Sequence, residues 1–251
     1  MEPMLPRFNI EIEIARIDPV LLRVIWIDEV SSDGVGDNRL YEDFSGAEWT
    51  EVQAVTDAEE GLLQEAAQRA ADIDDFDRIV DHMLEEQYPG DEFDEGPLSR
   101  FAGLDAGVMS AVAALSASGC ISTTSCRGHR VRGEPSPLVR FTADEERLIH
   151  VLAAVSSSGC GLLLDEDGML QLYAMNVLAF VAFARELQQA RHALDSIETV
   201  VPQERPPSNL GDFTTVRWRD LEAAQDQVDS VHDAQCDGQL ALFESDPPPE
   251  K

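Results

Sequence analysis

The chain has 251 residues, 43% of them hydrophobic, and a formal net charge of −31 at pH 7. That length and apolar content suffice for a sizeable core and exclude a wholly disordered chain. No apolar run reaches the length of a membrane span, and the opening MEPMLPRFNIEIEI lacks the basic-then-apolar order of a secretory signal, so a cytoplasmic protein with no membrane partner is expected.

In that compartment the four cysteines, Cys120, Cys126, Cys160 and Cys236, are expected as thiols or metal ligands rather than disulfides. The charge is unevenly spread. Residues 28–95 hold 23 acidic residues against three arginines, whereas residues 101–197 hold ten against seven. Such segregation fits either a solubilising surface or an acidic face for a basic partner.

Taken along the chain, Phe8, Ile10, Ile12 and Ile14 alternate with Asn9, Glu11, Glu13 and Ala15, the period of a half-buried strand. After the Asp18-Pro19 turn, VLLRVIWI over residues 20–27 reads as a second strand, and the two predict an N-terminal β-hairpin. Residues 31–38 (SSDGVGDN) form a loop. Thr56 and Glu59 have capping-box spacing, which predicts a helix from there to residue 71. A second acidic helix is predicted over residues 76–87, and YPGDEFDEGP (88–97) has the turn residues and charge of a linker.

The next hundred residues are the best patterned. AVAALSASGC (111–120) matches VLAAVSSSGC (151–160) at six of ten positions. Each copy ends an Ala-rich helix with a Ser-Gly stop and begins a strand with Cys. The strands CISTTSC and CGLLLDE are each followed by another, PLVRFTA (137–143) and GMLQLYA (168–174). Thr142 heads a TADE helix start, and Asn176 caps a helix running through VLAFVAFARELQQA. The order is α-β-β-α-β-β-α. It predicts an α+β fold in which helices cover one face of a mostly antiparallel sheet built from a duplicated α-β-β unit. The expected domains are an acidic hairpin and helical region over 1–97, this α+β domain over 98–197, and a linker, short helix (218–231) and flexible tail over 198–251.

The chemistry-bearing segment follows the first strand: Ser125-Cys126-Arg127-Gly128-His129-Arg130, then Arg132 and Gly133. Arg127, Arg130, Arg132 and Arg140 reverse the sign of an otherwise acidic chain. Arginine offers a planar fork of donors matched to phosphate oxygens, and Gly128 lets a backbone approach an anion closely. This predicts a phosphate-binding loop. The alternative is an exposed hairpin loop whose arginines pair with the acidic N-terminal half. Cys126, beside those arginines and His129, is the candidate reactive thiol. Cys120 is six residues earlier on the same strand and expected on the same face, so Cys120, Cys126, His129 and Cys160 form a conceivable zinc set; the spacing is unlike paired C-x-x-C knuckles, and buried core thiols are the competing reading. No cofactor is indicated. Asp165-Glu166-Asp167-Gly168, between two apolar strands, reads as a hairpin turn rather than a metal loop.

The segment GCISTTSCRGHR resembles a group of bacterial and phage proteins with a strand ending in S-C-x-G-H followed by a strand of the PLVRF kind. It is more distantly similar to the S-S-C-S-G-R signature of the wybutosine-synthesis methyltransferase family. Ser125, Cys126 and Gly128 match that signature, Thr124 replaces a serine, and His129 stands where the family has arginine. The resemblance implies methyl transfer to a nucleic acid, with Cys126 and His129 at the site.

Near the end of the chain, Gln239, Leu240, Ala241, Leu242 and Phe243 read QLALF, flanked by Asp237-Gly238 and a Pro-rich close. The pentamer resembles the bacterial sliding-clamp-binding motif, Q-L-x-L-F. The resemblance implies a clamp partner contacted by Gln239, Leu240, Leu242 and Phe243, as an apolar word in a polar tail suits a groove-binding peptide. The leading functional expectation is therefore an accessory protein of bacterial or mobile-element DNA metabolism. It would dock on the sliding clamp by its tail and contact phosphate through the SCRGHR loop. The alternatives are a nucleic-acid- or nucleotide-modifying enzyme using that loop, and an acidic DNA mimic that binds a basic protein.

Overall fold

The computed structural model describes residues 5–23, 44, 46–87, 96–101, 103–128 and 136–198. The chain divides into two units, Met1–Arg205 and Pro206–Lys251. The second unit, with the helix expected over 218–231 and the QLALF segment, lies outside the described residues.

The first unit carries α1 (Trp49–Arg69), α2 (Ile73–Gln87), α3 (Met109–Ala117), β1 (Ile121–Cys126), β2 (Leu138–Thr142), α4 (Glu145–Ser158), β3 (Gly161–Leu164), β4 (Leu170–Tyr173), α5 (Leu178–Gln189) and α6 (Arg191–Leu194). The fold is α+β, with the expected α-β-β-α-β-β-α order from α3 to α5. The strands form one antiparallel sheet in the order β1-β2-β4-β3.

The repeat at the sequence level reappears as a local two-fold. Each α-β-β unit contributes a hairpin whose second strand lies at the centre, where β2 pairs antiparallel with β4. Arg140 and Gln171 occupy matching places in the two units and are paired with each other. Gly119 and Gly159, at matching positions, end α3 and α4 at φ +84 and +80. This left-handed geometry lets the chain turn sharply from helix into strand, and glycine adopts it without steric cost. The two units differ in their hairpins: 11 residues separate β1 from β2, and five separate β3 from β4.

The alternation of each strand sends one set of side chains into the core. Val139, Phe141, Leu162, Leu170 and Leu172 are all fully buried on that face, with Phe180 and Phe183 of α5 in the same cluster. Burying each contributes about 1.5–3 kcal/mol. Helix α1 packs on α3 and α5, and brings Val52, Val55, Leu63 and Ala66 into the same core. The boundary expected at residues 97/98 therefore does not separate two cores: α1 shares one core with α3 and α5.

The N-terminal segment runs along the outer edge of β3, which corrects the expected hairpin. Residues 8–15 are extended, but their partner is β3: Ile14 bridges Leu162 in parallel, Ala15 N–H donates to Leu162 O, and Leu162 N–H donates to Glu13 O. Tyr173 Oη accepts from Glu13 N–H at 2.8 Å and so fastens this segment to β4. The supposed second strand opens with a 3-10 turn (Pro19–Leu21) capped by Asp18; residues 24–27 lie outside the described residues.

Two helix starts also move. Helix α1 begins at Trp49, with Glu48 and Glu51 forming the capping box. Thr56 is interior and buried, and its hydroxyl donates to Val52 O. Asp144, not Thr142, caps α4 by accepting from Arg147 N–H. Asn176 does take a helical N–H as expected, that of Leu178.

Candidate functional site

Strand β1 delivers Cys126, Arg127 and Gly128 to the end of the sheet, beside α2. Arg127 is a buried cation, with its side chain only 4% exposed. Its Nη2 lies 2.8 Å from Asp81 Oδ1 and its Nε 3.5 Å from Asp77 Oδ1, both on α2, and its backbone N–H donates to Asp105. Nη1 has no hydrogen-bond partner among the described residues, and Arg127 borders a small cavity of about 10 Å³ lined also by Pro6, Phe8, Phe76, Asp77, Gly128 and Val177. That volume suits a single water.

Gly128 takes φ +84, and a Cβ there would fall 2.7 Å from Ser136 C and 3.0 Å from the Phe8 ring. Its N–H donates to Cys126 Sγ at 3.3 Å. The tight approach predicted for Gly128 is thus made to the chain's own backbone and thiol.

Arg140, in mid-sheet on the face away from the helices, ion-pairs with Asp165 and lies 3.9 Å from Asp167, both in the β3–β4 turn. Burial pushes the Asp165 carboxyl up, but hydrogen bonds from Arg140 and the Met169 and Asp167 N–H groups outweigh it and hold it below 3.8. Residues 165–168 are the expected hairpin turn, with Asp165 Oδ1 accepting two backbone N–H groups and Gly168 at φ +78. Both guanidinium groups expected to meet phosphate, those of Arg127 and Arg140, are paired with acids of the chain itself. His129, Arg130 and Arg132, expected in the same loop, lie outside the described residues.

The cysteines do not converge. A bulge between Ser122 and Thr124 breaks the alternation of β1, so Cys120 and Cys126 do not share a face as expected. Cys120 is buried near the Ser118 hydroxyl, at 3.3 Å, and burial pushes its thiol up to about 12. Cys160 is buried against α5, where Sγ donates to Ala179 O, and burial pushes it to about 12 as well. No group of three or more potential metal ligands occurs among the described residues.

The residue that sequence reasoning missed is Glu59. It is fully buried in α1, and its carboxylate accepts from the N–H groups of Gly107 (2.6 Å), Met109 (3.0 Å) and Ser110 (2.8 Å) and from the Ser110 hydroxyl. These donors are the first turn of α3, so Glu59 supplies the anion that a helix N-terminus attracts. Burial pushes its carboxyl above 4.5, against the opposing pull of those four bonds. The signal was present: Val52, Val55, Glu59, Leu62, Leu63 and Ala66 follow one helical stripe, and a carboxylate in its middle must be buried.

No family model, curated protein or solved structure matches the chain. No helix among the described residues is long and apolar enough to cross a membrane.

Proposed function

We propose that the protein is a docking factor of bacterial or mobile-element DNA metabolism, whose C-terminal QLALF word engages the sliding clamp. The observation that carries this reading is the pentamer Gln239–Phe243, set in a polar, Pro-rich stretch beyond the end of the folded body's unit at Arg205. Two leucines and a phenylalanine offer several kcal/mol of apolar burial before the cost of ordering the peptide. That is enough for binding on the order of micromolar. Gln239 supplies a hydrogen-bonding end to the apolar word.

Arg127 and Arg140 are paired with the chain's own acids, so the proposal rests nucleic-acid proximity on the clamp and assigns those two residues to stability. The test is a pull-down of the full chain on a bacterial sliding clamp, wild type against Leu242→Ala/Phe243→Ala. Retention of the wild type and loss of the double variant supports the reading; equal retention removes it.

A further inference from the structure

We propose that Arg127 holds one internal water molecule where α2, the end of β1 and the N-terminal segment meet, and that this site takes water in preference to an anion. The guanidinium supplies the first observation. Its side chain is 4% exposed, and Asp81 meets only Nη2, at 2.8 Å. Nε and Nη1 are both shut away from solvent without a hydrogen-bond partner among the described residues. A buried donor left unsatisfied is costly, more so when it is charged, so a fold that buries this arginine is expected to supply an acceptor.

The cavity beside it supplies the second observation. Its volume of about 10 Å³ matches a single water. Pro6, Phe8, Phe76 and Val177 give it apolar walls, and Arg127, Asp77 and Gly128 give it polar lining. The walls are fixed: Phe8 N–H donates to Met175 O, just ahead of α5, and Phe76 is buried in the core. An internal water needs about two to four polar partners. Here the guanidinium donates to it and the Asp77 carboxylate accepts from it. Asp77 Oδ1 stands 3.5 Å from Nε, too long for a well-formed direct bond. A carboxylate can accept about four hydrogen bonds, so the ion pair with Arg127 does not exhaust it.

Charge and size decide between ligands. Arg127 already faces two carboxylates, those of Asp77 and Asp81, so an anion entering here would meet surplus negative charge. A cation would meet the guanidinium. Phosphate is also too large for a space that suits one water. Water is neutral and both donates and accepts, which is what orphan N–H groups beside a carboxylate require.

The test is a high-resolution crystal structure of the full chain, grown without phosphate or sulfate and compared with the same crystals soaked in inorganic phosphate. The proposal expects a water within about 3.2 Å of both Arg127 Nη1 and an Asp77 carboxylate oxygen, unmoved by the soak. A dry cavity, an Nη1 bonded instead to an acceptor of the chain, or a phosphate at the guanidinium overturns it. In solution, the Arg127 Nε–H resonance is expected to stay in place as inorganic phosphate is titrated at fixed ionic strength. A saturable shift of that resonance would show an anion site and overturn the preference for water.

Discussion

Glu59 offers the sharpest test of how α1 and α3 are held together. Replacing it with alanine leaves the N–H groups of Gly107, Met109 and Ser110 and the Ser110 hydroxyl without their acceptor in a fully buried place. A stranded buried donor costs about 1–3 kcal/mol. Simple addition overshoots, because the carboxylate also ceases to bear its own burial cost. A net loss of about 3–5 kcal/mol is expected, the range for removing one partner of a buried charged network. Glu59→Gln keeps the shape and one accepting oxygen and should lose roughly half as much. The pH dependence separates the charge from the shape. The folded carboxyl titrates above 4.5, so the folded state holds the proton more tightly than the unfolded one, and Glu59's contribution falls as pH rises through that window. Urea unfolding followed by circular dichroism, at pH values rising from the ordinary carboxyl range, should therefore show the wild-type advantage over Glu59→Gln narrowing with rising pH. An advantage that widens would mean that the four donors outweigh burial, and the reasoning on charge would fail.

Three further outcomes follow from the same contacts. Gly161→Ala would drive a Cβ into the Tyr173 ring, and a loss of about 1–3 kcal/mol is expected from overpacking; an unchanged denaturation midpoint would show that Tyr173 can yield. Arg127→Met should cost about 2–4 kcal/mol, since it removes the ion pairs of a buried guanidinium with Asp77 and Asp81, whereas Arg140→Ala, at a side chain 35% exposed, should cost under about 1 kcal/mol; equal losses in thermal melts would refute the assignment. Cys120 and Cys160, buried and raised to about 12, should resist alkylation at pH 8 in the folded protein and label in denaturant, and peptide mass spectrometry showing prompt native labelling of either would contradict their placement.

The α-β-β repeat was legible because its signals are local: Ser-Gly stops, strand periods and a D-G hairpin turn all lie within a few residues of what they determine. What escaped depends on distant partners. The alternation over residues 8–15 correctly implied extended chain, yet alternation carries no record of which strand lies alongside, and β3 is about 150 residues away in sequence. Thr56 and Glu59 imitated a capping box because spacing alone does not distinguish a helix start from an interior back-bond to Val52 O. The arginines of the SCRGHR loop were read against the charge of their own segment, while the acids that hold Arg127 come from α2, and those that hold Arg140 from the opposite hairpin. The alternative, pairing with the acidic N-terminal half, fits Arg127, whereas Arg140 pairs with acids of the second half.

The docking account stands most directly on a binding titration of the full chain against a bacterial sliding clamp, followed by surface plasmon resonance. The account predicts a Kd on the order of micromolar that weakens at least about tenfold in Phe243→Ala while Arg140→Ala leaves it unchanged. A wild-type chain that does not bind, or a Phe243→Ala chain that binds equally well, would contradict it.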